Sequence, residues 1–334
     1  MSEGSSHPWV ESFRGKIGLG LQLVAARSEG DASSAIIRGG LHAEKYGYDA
    51  VFLGDHPAWA PDCWLHLSVL ATMTERVRLG QMVAALPYRN PLVTARLQAD
   101  LDRLSHGRSI LGLGIGWNAS DYGLGENEFY RMGIPYPPVA QRQEALEEGI
   151  AIIRGLWEPE PLNFEGEYYS ATNASVDPPV QPGGVPLIVA GGGTRTLDQL
   201  ARLGDIANFG PGPAGNVDSA ATASDRLQTL RDRCHEHGRD PDTILRSLFT
   251  HWVILAPTQE AVDAKVRRYF PDGLDPFWGA YLVAGTPQRI AESFQEYVDV
   301  GINFIDIQTL DPDDEETIAL ATTDLARLLT PLPI

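Results

Sequence analysis

Cysteine is scarce in this chain, whose 334 residues include two, Cys63 and Cys234. The two lie far apart, and neither belongs to a CxxC pair or lies beside a histidine-rich stretch, so we expect neither a disulfide framework nor a structural zinc site. No HExxH motif or Cys/His cluster is present either, and we predict no metal site. This composition suits a reducing compartment, and we expect the protein to be cytoplasmic.

Long apolar runs and positive charge are also scarce. No run of about eighteen apolar residues occurs, and residues 1–10 lack the apolar segment of a signal peptide, so we expect neither a membrane span nor export. The chain has 26 lysines and arginines against 44 acidic residues, a formal net charge of −18. Such a charge repels nucleic acid and anionic membranes. We therefore expect a small-molecule substrate, and neither nucleic acid nor a membrane as a partner.

Several catalytic motifs are missing too. The sequence has no GxxxxGK[ST] phosphate loop and no GxSxG nucleophile turn, which argues against P-loop and α/β-hydrolase enzymes. A glycosidase stays open as an alternative because residues 157–167 carry several carboxylates, although the prolines of this stretch favour a solvated loop.

The chain does contain a regular alternation of strand and helix patterns. Short β-branched runs bounded by glycine are each followed by a segment of helical periodicity, as in the βαβ units of a parallel sheet. Eight such runs occur, at 16–23, 50–54, 77–84, 109–115, 186–190, 205–209, 247–255 and 303–308. A doubly wound sheet would also alternate, but eight units spread over the whole length favour one α/β domain, a (β/α)8 TIM barrel over residues 1–334.

Two connections are much longer than the few residues typical of barrel loops. They cover about residues 117–185 and 257–285, and both contain clusters of aromatic residues. We predict that they are insertions at the C-terminal mouth of the barrel, where loops carry specificity, and that they form a lid. The alternative is that their aromatic residues cover helix ends or a subunit interface.

Asp55 and His56 directly follow the second predicted strand. Polar residues at the end of a buried parallel strand are expected at the barrel mouth, where a histidine can exchange a proton with a reacting centre and an adjacent carboxylate can hold it. We predict this pair as the catalytic residues. In the alternative interpretation, Asp55 caps a loop and His56 is an ordinary hydrogen-bonded histidine.

The fourth predicted strand carries Gly112, Gly114 and Gly116 on one face. A face of bare backbone lets a flat ring system approach the peptide planes, and Trp117 at the strand end would form one wall of the pocket. The glycines would alternatively fit a crowded barrel interior. A Rossmann fingerprint is not indicated, because the spacing is GxGxG and no clear helix follows directly.

Gly191, Gly192 and Gly193 lie between the fifth predicted strand and a helical segment. Glycines before a helix N-terminus expose backbone N–H groups to an anion, so this turn predicts a phosphorylated cofactor or substrate. Arg195 would add positive charge or else pair with Asp198 at the surface. Similar turns also occur without any ligand.

Together these motifs resemble the luciferase-like flavin-dependent oxidoreductases, and in particular the branch that uses the deazaflavin coenzyme F420. The resemblance covers nearly the whole chain. The matching segments are specific to the superfamily when taken together, whereas any one of them alone would be a weak signal. They are residues 43–52, 55–56, 74–80, 88–91, 101–108, 112–118, 164–169, 190–193 and 284–287.

The resemblance implies a barrel in which an isoalloxazine or deazaflavin ring lies across the strand ends. The glycine turn after the fifth strand would hold the phosphate, and a bulge in the third strand, often with a non-prolyl cis peptide, would support the ring from behind. The cofactor contacts implied in this way are Met82, Val83, Gly114, Gly116, Trp117, Asn118, Gly191, Gly192, Gly193 and Thr194.

By the same resemblance, His56 with Asp55 lies over the reactive ring and serves proton transfer, while Trp59 and Trp117 border the substrate. One departure concerns the F420-dependent sugar-phosphate dehydrogenases of this family, which have a carboxylate after the glycines of the fourth strand. This chain has Trp117 there. The acid–base scheme and the substrate of those enzymes therefore do not carry over directly.

We predict an oxidoreductase that transfers a hydride between coenzyme F420 and a small organic substrate, with FMN as the alternative cofactor. With reduced FMN and oxygen, the same pocket would make the protein a monooxygenase. Two further alternatives are a barrel that binds flavin without catalysis and a hydrolase that uses loop carboxylates. The resemblance also implies a homodimer, and the sequence leaves the substrate and the direction of hydride transfer open.

Overall fold

Eight parallel strands close into a barrel in the computed structural model, which describes residues 6–117, 125–211 and 217–333. The first strand pairs with the second and the eighth, and the ring closes where Leu245 of the seventh pairs with Ile206 of the sixth. The predicted TIM barrel is therefore confirmed. The strands, labelled β1 to β8 in chain order, are Gly18–Gln22, Ala50–Leu53, Arg78–Gln81, Ser109–Gly114, Leu187–Ala190, Ile206–Phe209, Leu245–Leu255 and Phe304–Thr309.

Helices surround the barrel, and several begin at a polar side chain that caps the first turn. The side chains of Asp31, Asp62 and Asn90 each accept a backbone N–H bond there. The surrounding helices, labelled α1 to α8 in chain order, are Ala32–Tyr46, Cys63–Met73, Pro91–Leu104, Val139–Leu156, Thr194–Leu203, Ala220–Glu236, Pro287–Asp299 and Glu315–Leu320. Further elements are the helices Pro8–Glu11, Gly125–Arg131, Gln259–Tyr269 and Pro276–Tyr281, the π-helical turn Ala321–Leu325, and the short strands Ala84–Ala85, Leu162–Glu165, Ser170–Ala174 and Leu282–Gly285.

The apolar core has one layer between strands and helices and another inside the barrel. The inner layer includes Phe52, Ile110 and Phe304. At the N-terminal ends of the strands, the rings of Trp9 and Phe13 lie edge-on against Phe304, with ring centroids 5.7 Å and 5.2 Å away. Aromatic side chains thus pack against the interior of the barrel at this end.

The two parts of the first long connection, its short helix and its hairpin, lie in different places. Its helix Gly125–Arg131 lies at the mouth, where Glu128 reaches His56 beyond the end of β2. The hairpin of the short strands beyond α4 packs along α4 instead, and the Glu148 carboxylate there accepts backbone N–H bonds from residues 167–169. The prediction of a lid is therefore wrong for the hairpin, because a barrel helix supplies the acceptor for its turn.

The second long connection lies at the mouth, as predicted. Its helix Pro276–Tyr281 places Trp278 against Arg27, which follows β1, with 4.9 Å between the guanidinium carbon and the ring centroid. The same guanidinium lies 4.9 Å from the ring of Phe270. An arginine between two aromatic rings thus joins this connection to the loop after β1.

One polar side chain is deeply buried inside the barrel. Asp306 on β8 accepts a hydrogen bond from the Ser247 hydroxyl at 2.8 Å, and no other described group bonds to its second oxygen. Gly20 on β1 provides the space, since a Cβ atom there would collide with the carboxyl group. Burial raises the pKa of Asp306 to about 8. The folded barrel therefore favours the protonated acid.

Replacing Asp306 with asparagine should make stability less dependent on pH. The folded pKa, about 8, lies above the ordinary value of 3.8, so the wild type loses stability as the pH rises between these values, because only the unfolded chain releases the proton. We expect the unfolding free energy of Asp306→Asn, relative to the wild type, to rise by at least ~2 kcal/mol from about pH 4.5 to about pH 7.5 in urea titrations. The exposed Asp225→Asn on α6 is the control, and a pH-independent difference for Asp306→Asn would contradict the assignment.

Candidate active site

His56 lies at the mouth and contacts a buried carboxylate from the first long connection. Its Nδ1 atom is 3.3 Å from Oε2 of Glu128. The same oxygen accepts a hydrogen bond of 2.7 Å from the hydroxyl of Tyr88. The Glu128 side chain is 1% exposed, whereas that of His56 is 27% exposed. Glu128 therefore holds the Nδ1 side of the ring, while part of the His56 side chain remains accessible to solvent.

These contacts determine which nitrogen of His56 carries the proton in the neutral ring. Burial and the hydrogen bond to Glu128 raise the pKa of Tyr88, so its hydroxyl stays protonated and donates. When the Glu128 carboxylate is ionised it can only accept, and Nδ1 of His56 then donates the shared hydrogen. Nε2 keeps the lone pair, and no described group bonds to it. This atom can take up and release a proton.

Asp55 does not hold His56 in the structure, which corrects that part of the prediction. Its carboxylate accepts two hydrogen bonds from the guanidinium of Arg89, one of them 3.0 Å long. Arg89 also bonds Asp62, the cap of α2, and lies 4.5 Å from the ring centroid of Trp64. The planar guanidinium binds Asp55 through two nitrogens, and the carboxylate for His56 comes from elsewhere in the chain.

Two tryptophans that were predicted to border the substrate lie beside His56. Its ring centroid is 4.6 Å from that of Trp117 and 6.2 Å from that of Trp59. Arg142 on α4 is fully buried and donates from one nitrogen to the carbonyls of residues 115–117. The guanidinium thereby fixes the backbone that carries Trp117. Asn118, also predicted to contact the cofactor, lies outside the described residues.

The predicted bulge is present in the third strand. The peptide bond between Met82 and Val83 is cis, as the resemblance implies. Pairing between β3 and β4 stops before this bond and resumes after it, at Ala84–Ala85. The bulge therefore turns the chain at the mouth end of β3.

The glycines of β4 serve this bulge and the packing around it. A side chain at Gly112 would collide with the backbone of β3, and a Cβ atom at Gly114 would lie 3.0 Å from Val83. At Gly116, where φ is +75°, it would lie 2.8 Å from the ring of Phe129. The prediction of an open glycine face is therefore wrong at Gly112 and Gly116, because neighbouring groups fill that space.

The glycine turn after β5 leads into the start of α5. Gly191 has a φ of +125°. Gly193 is the N-cap residue of α5, and no side chain caps the first turn of this helix. The backbone N–H groups of this turn are thus left for another acceptor. Arg195 pairs with Glu144 on α4, at 3.4 Å, and not with Asp198.

The end of β7 forms another part of the mouth, which sequence reasoning missed. The ring centroid of His251 is 5.2 Å from that of Tyr281, and the ring of Trp252 is 5.6 Å from Phe277. The buried Nε2 of His251 and Nε1 of Trp252 have no hydrogen-bond partner among the described residues. Burial lowers the pKa of His251, which favours its neutral form.

The described ranges contain no group of three or more His, Cys, Asp or Glu side chains arranged to hold a metal ion. In the same ranges, no helix has the length and apolar character needed to cross a bilayer. Cys63 and Cys234 are both buried thiols.

Comparison with known proteins identifies a family match over most of the barrel. The model of the luciferase-like monooxygenase family matches residues 20–280. A curated relative, the F420-dependent glucose-6-phosphate dehydrogenase of Intrasporangium calvum, is 31% identical over 306 residues, which cover 83% of this chain and 88% of the relative.

Solved structures share the fold at lower identity. The coenzyme F420-dependent tetrahydromethanopterin reductase of Methanopyrus kandleri superposes with a TM-score of 0.75 at 18% identity, over 93% of this chain and 99% of that one. The oxygenating constituent of 3,6-diketocamphane monooxygenase from Pseudomonas putida, in complex with FMN, superposes with a TM-score of 0.75 at 17% identity. The superposition covers 95% of this chain and 100% of that one. The same barrel thus occurs with both kinds of cofactor.

Proposed function

The chain belongs to the luciferase-like monooxygenase family, and from this premise we propose that it is an oxidoreductase that transfers a hydride between coenzyme F420 and a small organic substrate. The observation that carries the proposal is the partly exposed His56 at the barrel mouth, whose Nδ1 lies 3.3 Å from the buried Glu128 carboxylate, so that Nε2 is the ring nitrogen left for proton exchange. The name of the curated relative supports F420 over FMN.

The residues at the mouth fit a phosphorylated deazaflavin. The uncapped first turn of α5, at residues 191–194, offers backbone N–H groups to the phosphate of the cofactor. Met82 and Val83 lie on the bulge that would support the ring, and the buried Oε1 of Gln22 beside them has no partner among the described residues. When bound, F420 supplies a centre that accepts or donates a hydride.

In this proposal His56 moves the proton that accompanies the hydride. Its Nε2 accepts the proton when the substrate is oxidised and returns one when the substrate is reduced. Glu128 stabilises the charge that develops on the ring, and Tyr88 keeps that carboxylate oriented. Asp55 acts indirectly, since its ion pair with Arg89 fixes the loop from which His56 projects.

The remaining predictions about the site and the assembly stay part of the proposal. In this proposal Trp59 and Trp117 border the substrate, and the backbone of Gly114 and Gly116 contributes to the cofactor side. Asn118 is proposed as a cofactor contact from the resemblance alone, since it lies outside the described residues. Residues 1–334 form one domain with long insertions at about 117–185 and 257–285. We place the enzyme in the cytoplasm as a homodimer.

Cofactor titrations test the proposal directly. We expect F420 to bind at least tenfold more tightly than FMN, as measured by fluorescence with purified protein, and turnover with F420 to consume no oxygen. Preferential binding of FMN together with oxygen consumption would instead make the protein a monooxygenase. Tight binding of neither cofactor would contradict the proposal.

Removing the imidazole should separate catalysis from cofactor binding. His56→Ala is expected to lower kcat at least ~100-fold, because general acid–base catalysis contributes about that much or more. The F420 dissociation constant should change less than about threefold. His237→Ala, at a surface histidine paired with Asp198, is the matched control and should retain full activity. Full activity in His56→Ala would refute its role.

A negative charge at the start of α5 should weaken cofactor binding. Gly193 has a φ of −71° and space beside its Cα, so both Asp and Asn fit there as helix caps. We expect Gly193→Asp to raise the dissociation constant of F420 about tenfold through repulsion of the phosphate. Gly193→Asn, of the same shape and uncharged, should have a smaller effect. Equal affinities of the two variants would place the phosphate elsewhere.

A further inference from the structure

We propose a second ligand site at the end of the barrel opposite the mouth, which binds a small organic monocarboxylate with an apolar body. The site is a cavity of about 310 Å³ at the N-terminal ends of β1, β7 and β8. Helices α6 and α7 and residues 331–333 form its other walls. This volume lies at the lower end of the range for small-molecule sites. The cavity is separate from His56, so the inference does not rest on the proposed function.

Positive charge is concentrated in this cavity. The chain as a whole has a formal net charge of −18, yet the basic side chains that line the cavity outnumber the acidic ones. The basic residues are Arg14, Lys16, Arg231 and Arg246, and the acidic residues are Glu11 and Asp242. A local excess of positive charge attracts an anion.

Both carboxylates of the lining are already paired with a neighbouring arginine. Glu11 lies 2.7 Å from Arg14, and Asp242 lies 3.0 Å from Arg246. The Nε atom of Arg246 also donates to the carbonyl of Gly301 at 2.7 Å. These arginines are thus matched by charges of the chain itself, and the excess belongs to Lys16 and Arg231.

Lys16 and Arg231 are the cations left for a ligand. Among the described residues, neither has a carboxylate within ion-pair distance, and the guanidinium of Arg231 donates to the neutral side chain of Gln228 at 3.1 Å. The charge of Asp49 acts on Lys16, but that carboxylate accepts the backbone N–H of Leu19. A carboxylate in the cavity would supply the acceptor that both cations lack, through charge-assisted hydrogen bonds.

Asn303, directly before β8, adds an oriented donor. Its Oδ1 atom accepts the backbone N–H of Arg246 at 2.9 Å, which fixes the orientation of the amide. Nδ2 is then the end left for a ligand, and no described group accepts a hydrogen bond from it. The free groups of the cavity are therefore all donors. A carboxylate, which only accepts, matches them, whereas an ammonium group does not.

The rest of the lining is largely apolar. Ile244, Val298 and Ile302 are buried parts of the wall, whereas Leu332 in the C-terminal segment is 44% exposed. An apolar ligand body that contacts Leu332 removes this surface from water, which favours binding. The combination of two free cations and an apolar wall thus fits one carboxylate attached to a single ring or a short chain.

Calorimetry with three probes tests the ligand class. We expect 4-phenylbutyrate to bind the purified protein with a Kd below about 1 mM. Its uncharged amide, 4-phenylbutanamide, and acetate, which lacks the apolar body, should each bind at least about tenfold more weakly. Weaker binding of 4-phenylbutyrate, or a smaller difference from either of the other probes, would overturn the inference. His56→Ala should bind 4-phenylbutyrate as the wild type does, and loss of binding in this variant would place the ligand at the mouth instead.

Variants that remove one charge locate the carboxylate. Lys16→Gln and Arg231→Gln should each weaken binding of 4-phenylbutyrate at least about threefold, because each removes a partly exposed ion pair with the ligand. Arg226→Gln, on α6 but outside the cavity lining, is the matched control and should bind as the wild type does. A smaller effect of either cavity variant, or an equal loss in Arg226→Gln, would overturn the assignment. F420 affinity, measured in the same variants, should stay unchanged because the cavity lies away from the mouth.

Discussion

The buried carboxylate of Glu128 determines how His56 can act. A carboxylate that is 1% exposed requires hydrogen-bond donors, and Tyr88 and His56 supply them at a single oxygen. Because Nδ1 of His56 is used in this way, Nε2 is the ring nitrogen left for the proposed proton transfer. Selection of the tautomer by a buried partner is a common means of fixing the role of a histidine.

The barrel holds these three residues although they come from different connections. His56 follows β2, Tyr88 follows the bulge after β3, and Glu128 lies in the connection after β4. Arg142 anchors the start of that last connection through the carbonyls of residues 115–117, and the ion pair between Asp55 and Arg89 anchors the loop after β2.

The repeating pattern of strands and helices was sufficient to predict the barrel, because each strand and helix buries its own apolar face locally. The location of His56 also followed from its place after β2. The partner of His56 could not be predicted from the sequence, because Glu128 lies 72 residues away and no periodicity connects the two. The sequence offered Asp55 as the adjacent carboxylate, and only the fold shows that Arg89 binds it.

The β4 glycines illustrate a second limit. Gly112 and Gly114 do face the same side, toward Val83, but Gly116 lies beyond the strand and faces Phe129. What occupies the side of Gly112 and Gly114 depends on the bulge at Met82 and Val83, in another strand. The hairpin that packs on α4 was misplaced for a similar reason, because its acceptor, Glu148, belongs to the barrel helix and not to the hairpin. Contacts between segments far apart in the sequence thus determine both what surrounds the β4 glycines and where the hairpin packs.

The tautomer of His56 tests the central claim most directly. Nitrogen-15 NMR of the labelled protein, with the signals of His56 assigned by their loss in His56→Ala, reports which ring nitrogen is protonated in the neutral form. The structure predicts hydrogen on Nδ1 and a bare Nε2 nitrogen. Hydrogen on Nε2 in the neutral ring would contradict the role assigned to Glu128 and, with it, the orientation of the proposed proton transfer.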